Sequence, residues 1–307
     1  MPLSPNAEEF LAAVAAQNRP AWQDMSLRQA RDTFAGLTDV FGEGPEVAHV
    51  EDRTIANDVP VRIYTPAGDG PFPAIVYFHG GGWVLGDLDT HDALCRQLAN
   101  DAQTVVISVH YRRSPEAVAP AAVDDCYAAT QFVANEGASI NVDPTQIVVA
   151  GDSAGGGLAA AVSIKARDED GPAIRQQVLI YPVLDSRCET ASYHEFSEGF
   201  GLTKATMEWF WQQYLGPEND STAAVVSPSH ASDLSGLPPA HVVTAEYDVL
   251  RDEGNDYVRQ LSAAGVPITH KQYDGELHGF IHFSGVFESG RTAIAEIAEV
   301  VRNVLAN

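Results

Sequence analysis

Lysine is almost missing from this chain: Lys165, Lys204 and Lys271 are the only three, and 18 basic residues face 42 acidic ones for a formal net charge of −24. A chain so acidic repels nucleic acid and anionic membrane, so neither is expected as a partner. The charge reads as a solvated acidic surface. A sharper version is adaptation to salt, because high ionic strength screens such self-repulsion.

Cysteine is equally sparse. Cys95, Cys126 and Cys188 are odd in number and widely spaced, with neither a C-x-x-C pair nor a Cys/His metal spacing. Cys95 and Cys126 sit in apolar helical patterns and read as buried thiols. No stretch approaches 18 apolar residues, and Met1 to Phe10 lacks a basic segment followed by an apolar run. The expectation is a chain with no signal peptide and no membrane span, in a reducing cytoplasm, and with no metal or organic cofactor.

What is present is alternation. Residues 1–45 carry apolar residues at helical spacing, interrupted by Pro20 and closed by Gly42-Glu43-Gly44-Pro45. Ile55, Val59, Val61 and Ile63, with Asn57-Asp58 between two runs, predict a hairpin. Ala74 to Phe78 reads as a strand buried on both faces. Strands at Thr104–His110, Gln146–Ala150, Val178–Tyr181, His241–Ala245 and Ile268–Tyr273 alternate with helices at Asp92–Asn100, Val118–Ala134, Gly157–Ala166, Arg251–Ala264 and about Ala293–Val304. That pattern predicts an α/β fold with a mostly parallel sheet of about eight strands, covered by helices on both faces. Between Leu184 and Pro238 the alternation stops, and an aromatic cluster appears that includes Phe196, Phe200, Trp209, Phe210, Trp211 and Tyr214. We read 46–184 and 239–307 as one core. Residues 1–45 and 185–238 read as helical cap segments over an apolar pocket.

The chemistry centres on Gly151-Asp152-Ser153-Ala154-Gly155, which fits G-x-S-x-G between an apolar strand and an alanine-rich helix. Such a turn lifts the Ser153 hydroxyl above the sheet, and the helix start turns free N–H groups toward developing negative charge. A glycine-rich turn alone occurs in many α/β proteins, so the partners decide. A serine needs a base, and the base an orienting acid, in the chain order Ser, Asp or Glu, His. Glu246, Asp248 and Asp252 follow one strand, and Asp248, in the strand–helix loop, fits best. Among His270, His278 and His282, His278 is delivered by a strand end and followed by Gly279-Phe280, whereas His270 lies within a strand. His79-Gly80-Gly81-Gly82 directly follows a core strand and offers unshielded N–H groups, with that of Ala154, to an oxyanion.

Taken together, His79-Gly80-Gly81-Gly82-Trp83, Tyr111-Arg112, Pro115-Glu116, Asp124-Asp125, the elbow through Gly156, Asp248-Val249-Leu250-Arg251-Asp252 and His278-Gly279-Phe280 resemble the bacterial hormone-sensitive lipase family (family IV) of carboxylesterases. The resemblance implies an α/β-hydrolase fold with a helical cap. It implies Ser153 as nucleophile, His278 as base, Asp248 as orienting acid, and Gly81, Gly82 and Ala154 as oxyanion donors. It further implies small ester substrates of short to medium acyl chain, and a possible homodimer by analogy. Two departures stand out: Arg113-Ser114 where the family usually has Leu-Ala, and Gly157 where it commonly has Asn. An amidase or arylformamidase would use the same triad. A receptor-like binding module, as in the related plant gibberellin receptors, would lack a working triad, but here His278 is present.

Overall fold

The apolar runs pair into one eight-stranded sheet in the order β1-β2-β4-β3-β5-β6-β7-β8. In this computed structural model, residues 1–55, 58–217 and 221–306 are described. The strands are β1 (His49–Ile55), β2 (Val59–Thr65), β3 (Phe72–Phe78), β4 (Val105–Val109), β5 (Val142–Asp152), β6 (Ile174–Ile180), β7 (Ala240–Tyr247) and β8 (Ile268–Leu277). β1 and β2 form the expected antiparallel hairpin and β2 runs antiparallel to β4; all other pairs are parallel. Asn57, expected in the hairpin turn, lies outside the described residues.

The helices are α1 (Pro5–Ala16), α2 (Leu27–Ala35), α3 (Thr38–Phe41), α4 (Asp92–Ala102), α5 (Ala121–Glu136), α6 (Ala154–Asp168), α7 (Ala191–Glu195), α8 (Lys204–Leu215), α9 (Arg251–Ala263) and α10 (Glu288–Leu305). Alternation along the strands sorts the core into two layers. Ala74, Val76 and Phe78 of β3 join Val123 of α5, Leu158 of α6 and Leu261 of α9 on one face. Ile75 and Tyr77 join Leu94 of α4 and Ile294 of α10 on the other. This is the mostly parallel, doubly covered sheet that the alternating pattern predicts and that the family resemblance implies. Cys95, Cys126 and Cys188 are free and buried.

Several boundaries differ from the sequence reading, each with a local cause. β3 starts at Phe72, because the strand tolerates Pro73 through a register irregularity between Phe72 and Ala74. β5 starts at Val142, four residues early, where the polar Asp143-Pro144-Thr145 masks the strand pattern. α10 starts at Glu288 rather than near Ala293. Its first turn contains Gly290, where a Cβ would lie 2.2 Å from the Phe280 carbonyl oxygen, so this glycine serves close packing and does not end the helix. Residues 185–238 contribute α7 and α8 and, among the described residues, no strand.

Candidate active site

The parallel strands all deliver their carboxyl ends to one edge of the sheet, and the candidate residues gather there. Ser153 sits between β5 and α6 at φ 57° and ψ −120°. This is a strained conformation for a residue with a side chain, held by a hydrogen bond from its N–H to the Ile180 carbonyl at 2.8 Å. Small residues make the turn possible. A Cβ on Gly155 would fall 1.9 Å from the Phe78 carbonyl oxygen, and one on Gly151 would fall 2.4 Å from the backbone of Gly155.

β7 ends at Tyr247, and Asp248 follows, fully buried. Its Oδ1 accepts the Leu250 N–H at 2.9 Å, leaving Oδ2 to face His278 Nδ1 at 2.7 Å. β8 ends at Leu277 and delivers His278, whose Nε2 lies 3.0 Å from Ser153 Oγ. With Nδ1–H donated to the carboxylate, Nε2 is left to accept the serine hydroxyl proton. The rival acids are engaged elsewhere: Glu246 pairs with the Met1 amino group and accepts the Gly275 N–H, and Asp252 accepts the Ser192 N–H. His270 bonds Thr244 within the sheet.

The glycine run follows β3. Gly81 and Gly82 have φ of 108° and 60°, values that favour glycine. Among the described residues, no protein acceptor takes up the N–H of Gly81, Gly82 or Ala154. His79 anchors the run: its ring stacks on Tyr111 with centroids 4.2 Å apart, and the Tyr111 hydroxyl donates to the His79 carbonyl at 2.8 Å. Burial pushes the His79 pKa well down, so the ring is neutral. Three donors free of partners beside a serine–imidazole–carboxylate chain can meet a negative oxygen formed at Ser153.

Below this lies a group that the motif reading left without a role. Asp152 is buried, and its Oδ1 accepts the Tyr77 hydroxyl at 2.8 Å and the Gly80 N–H at 3.0 Å, with His91 Nε2 3.3 Å away. Burial alone would push its pKa up; His91, His282 and Tyr77 outweigh this and hold it well below the usual carboxylate range. The anionic side chain next to Ser153 thus fixes Gly80, the first glycine of the run. His91 and His282 stack with centroids 3.9 Å apart, and donor atoms of His91, Asp152 and His282 lie within 4.8 Å of one another. This trio is already tied into protein hydrogen bonds: His91 to Thr90 and Gly80, and His282 Nε2 to the Thr90 carbonyl at 2.9 Å. Tyr77 and His91 carry no motif signature, and only the acid beside Ser153 hints at the network.

The other quoted motifs hold the frame. Arg112 pairs with Asp125 at 2.8 Å. Glu116 binds Arg31 of α2 through both oxygens, at 2.7 and 2.8 Å, and Arg31 also donates to the Val84 and Ser114 carbonyls. The first departure from the family pattern has a use: Arg113 donates to the Gly86 carbonyl at 2.7 Å, and Ser114 Oγ to the Ala117 carbonyl at 3.0 Å. The second has a steric cause. A Cβ on Gly157 would fall 2.2 Å from the Val183 carbonyl oxygen, so no asparagine fits while the backbone stays here.

A cavity of about 140 Å³ opens over Ser153 and His278. Its walls include residues from two stretches distant in sequence, Trp22 and Phe34 from residues 1–45 and Leu202 and Phe210 from 185–238, beside Leu85 and Phe283 of the core. Phe210 lies against the glycine run so closely that a Cβ on Gly82 would fall 2.2 Å from its ring. The aromatic cluster continues outward, with Tyr214 stacked on Trp83 at 4.1 Å.

A family model described as the alpha/beta hydrolase fold matches residues 75–282. The chain is 42% identical over 275 residues to carboxylic ester hydrolase LipN of Mycobacterium tuberculosis, covering 86% of this chain and 72% of LipN. It is 33% identical over 319 residues to ethyl acetate hydrolase of Pseudomonas putida, covering 99% and 100% of the two chains. An ester-hydrolase from the Lake Arreo metagenome superposes with a TM-score of 0.95 at 38% identity, covering 99% of this chain and all of the other. The chain therefore belongs to the α/β-hydrolase family, among relatives that are carboxylic ester hydrolases and esterases.

Proposed function

We propose that this chain is a serine carboxylesterase that cleaves esters of short to medium acyl chain through an acyl-enzyme intermediate. The observation that carries the reading is the continuous chain Ser153–His278–Asp248, with links of 3.0 and 2.7 Å, at the floor of a cavity flanked by three unengaged backbone donors. Ser153 Oγ attacks the ester carbonyl carbon while His278 Nε2 takes the hydroxyl proton. Asp248 holds the ring orientation and stabilises the imidazolium. The carbonyl oxygen, now negative, is met by the N–H groups of Gly81, Gly82 and Ala154. The tetrahedral species collapses, His278 gives its proton to the departing alcohol, and the acyl group stays on Ser153. Water, deprotonated by His278, then releases the acid and restores the serine.

Residues 1–45 and 185–238 act in this reading as a cap that sizes the substrate. A cavity of about 140 Å³ is smaller than the roughly 300–1,000 Å³ of drug-sized ligand sites, which favours small esters. The name of the Pseudomonas putida relative, an ethyl acetate hydrolase, points the same way. No helix among the described residues is long and apolar enough to cross a membrane. Three free buried thiols support a reducing cytoplasm as the working compartment. A homodimer rests on the family resemblance alone, and sedimentation equilibrium decides it.

The test is hydrolysis of p-nitrophenyl acetate, butyrate, octanoate and laurate by wild type and Ser153→Ala, with matched anilides beside them. Turnover of the shorter esters that disappears in the variant supports the reading. Faster cleavage of the anilides would move the chain to the amidases, and a folded wild type inactive on every substrate would overturn the assignment.

A further inference from the structure

Most of the cavity wall is apolar, and one cation interrupts it. Arg19, in the loop after α1, lines the cavity that holds Ser153 and His278 and also the wider cleft of about 560 Å³ that adjoins it. Its guanidinium lies 5.5 Å from the centroid of the Trp22 ring, which orients it. Its Nε and Nη1 are buried and have no hydrogen-bond partner among the described residues. In a chain where 42 acidic residues outnumber 18 basic ones, that is an anomaly. Apart from Arg175, every other arginine has a carboxylate or a backbone carbonyl as partner. Arg175 lies on β6 and does not line this cavity. The carboxylates that line the outer cleft are Glu198 and Glu208; neither forms an ion pair with Arg19, and Glu208 faces Lys204 at 3.9 Å.

A buried donor left unpaired costs free energy that an incoming acceptor recovers, and a guanidinium, charged at every working pH, recovers most from an anionic oxygen. We infer that Arg19 is a specificity residue, and that the preferred esters carry a carboxylate at the end remote from the scissile bond. This rests on the esterase reading above and narrows its substrate class. Phe34, Leu37 and Leu202 offer that carboxylate no polar alternative, so the cavity joins an apolar middle to one cationic end.

The experiment compares charged and neutral esters matched in length. One pair places the charge on the acid side, mono-p-nitrophenyl glutarate against p-nitrophenyl valerate. The other places it on the alcohol side, 4-carboxyphenyl butyrate against phenyl butyrate. For at least one pair, the charged-to-neutral ratio of kcat/KM should fall about tenfold from wild type to Arg19→Met, chiefly through KM, with Arg19→Lys between them. Circular dichroism checks folding, and Arg19→Lys carries the comparison if the methionine variant does not fold. Equal ratios in wild type and variants for both pairs would overturn the inference while leaving the esterase reading intact. If wild type hydrolyses no ester, the esterase reading fails by itself. Calorimetric titration with glutarate and 4-hydroxybenzoate then decides Arg19: binding weakened in the variants supports its role, and equal binding or none at all rejects it.

Discussion

The floor of the site and its roof are built by different means. The floor is held chiefly by backbone: the elbow packs against the Phe78 carbonyl, the Ser153 N–H donates to the Ile180 carbonyl, and the strand ends deliver Asp248 and His278. The roof is held by side chains, with Phe210 over Gly82, Tyr214 on Trp83, and Arg31 reaching from α2 to Glu116. Backbone packing at contact distance tolerates almost no change, whereas aromatic rings and ion pairs can be exchanged for others of similar bulk. In the proposed esterase reading, the difference teaches where the reaction is fixed and where the substrate is chosen.

Removing the reacting atom separates chemistry from fold most sharply. Ser153→Ala should lower kcat/KM on p-nitrophenyl butyrate by about 10⁴-fold or more, with thermal unfolding little altered. A residual rate near that of wild type would break the comparison, since the floor would then not be the reacting surface.

Next comes the backbone itself. Gly155→Ala places a methyl group 1.9 Å from the Phe78 carbonyl oxygen and should cost roughly 3 kcal/mol of stability, read from urea unfolding. A neutral result would mean that the elbow yields more readily than its packing implies.

A smaller effect is expected from the network beneath the glycines. Asp152→Asn keeps the shape and removes the charge that holds Gly80 and Tyr77. We expect kcat to fall about tenfold with KM nearly constant, because the oxyanion donors shift while the pocket does not. A change confined to KM would place Asp152 with the roof instead.

The smallest effect concerns how the roof is tied down. Arg31 holds the Glu116 pKa down to about 2, against an ordinary value of 4.5. A carboxylate whose pKa is lower in the folded protein stabilises it fully above pH 4.5, and the contribution is lost as pH falls from there through 2. Hydrogen-exchange protection across α2 and α3, corrected for the intrinsic exchange rate, should therefore fall as pH drops from about 4.5 toward about 2, before the sheet loosens. In Glu116→Gln that acid dependence should be absent; an unchanged dependence would assign the tether to another pair.

The same contrast explains what the sequence disclosed. The floor was legible because backbone crowding demands small residues at fixed spacing: Gly151, Gly155 and the run from Gly80 to Gly82 leave a signature in one dimension. Chain order after a strand end was enough to choose Asp248 over Glu246 and His278 over His270. The roof left only a composition, since Trp22, Phe34, Leu202 and Phe210 come together through tertiary packing that no local pattern encodes. Asp152 was read as part of the elbow, but its partners Tyr77 and His91 lie on other elements. Arg19 could not be singled out at all, because an arginine without a carboxylate is visible only once every neighbour is placed. The α10 boundary shows the same limit: a glycine that packs against Phe280 looks, in sequence, like one that breaks a helix.

The contact between Gly82 and Phe210 has a consequence for how such a protein could diversify. The ring fills the space where a side chain on residue 82 would begin, so a residue of the roof forbids variation in the floor. A lineage exploring larger substrates by trimming Phe210 would at the same moment gain room beside Gly82. Only a residue tolerant of a left-handed backbone, asparagine or aspartate above all, could then settle there. Pocket volume and the oxyanion loop would therefore evolve as a linked pair, with the aromatic ring changing first.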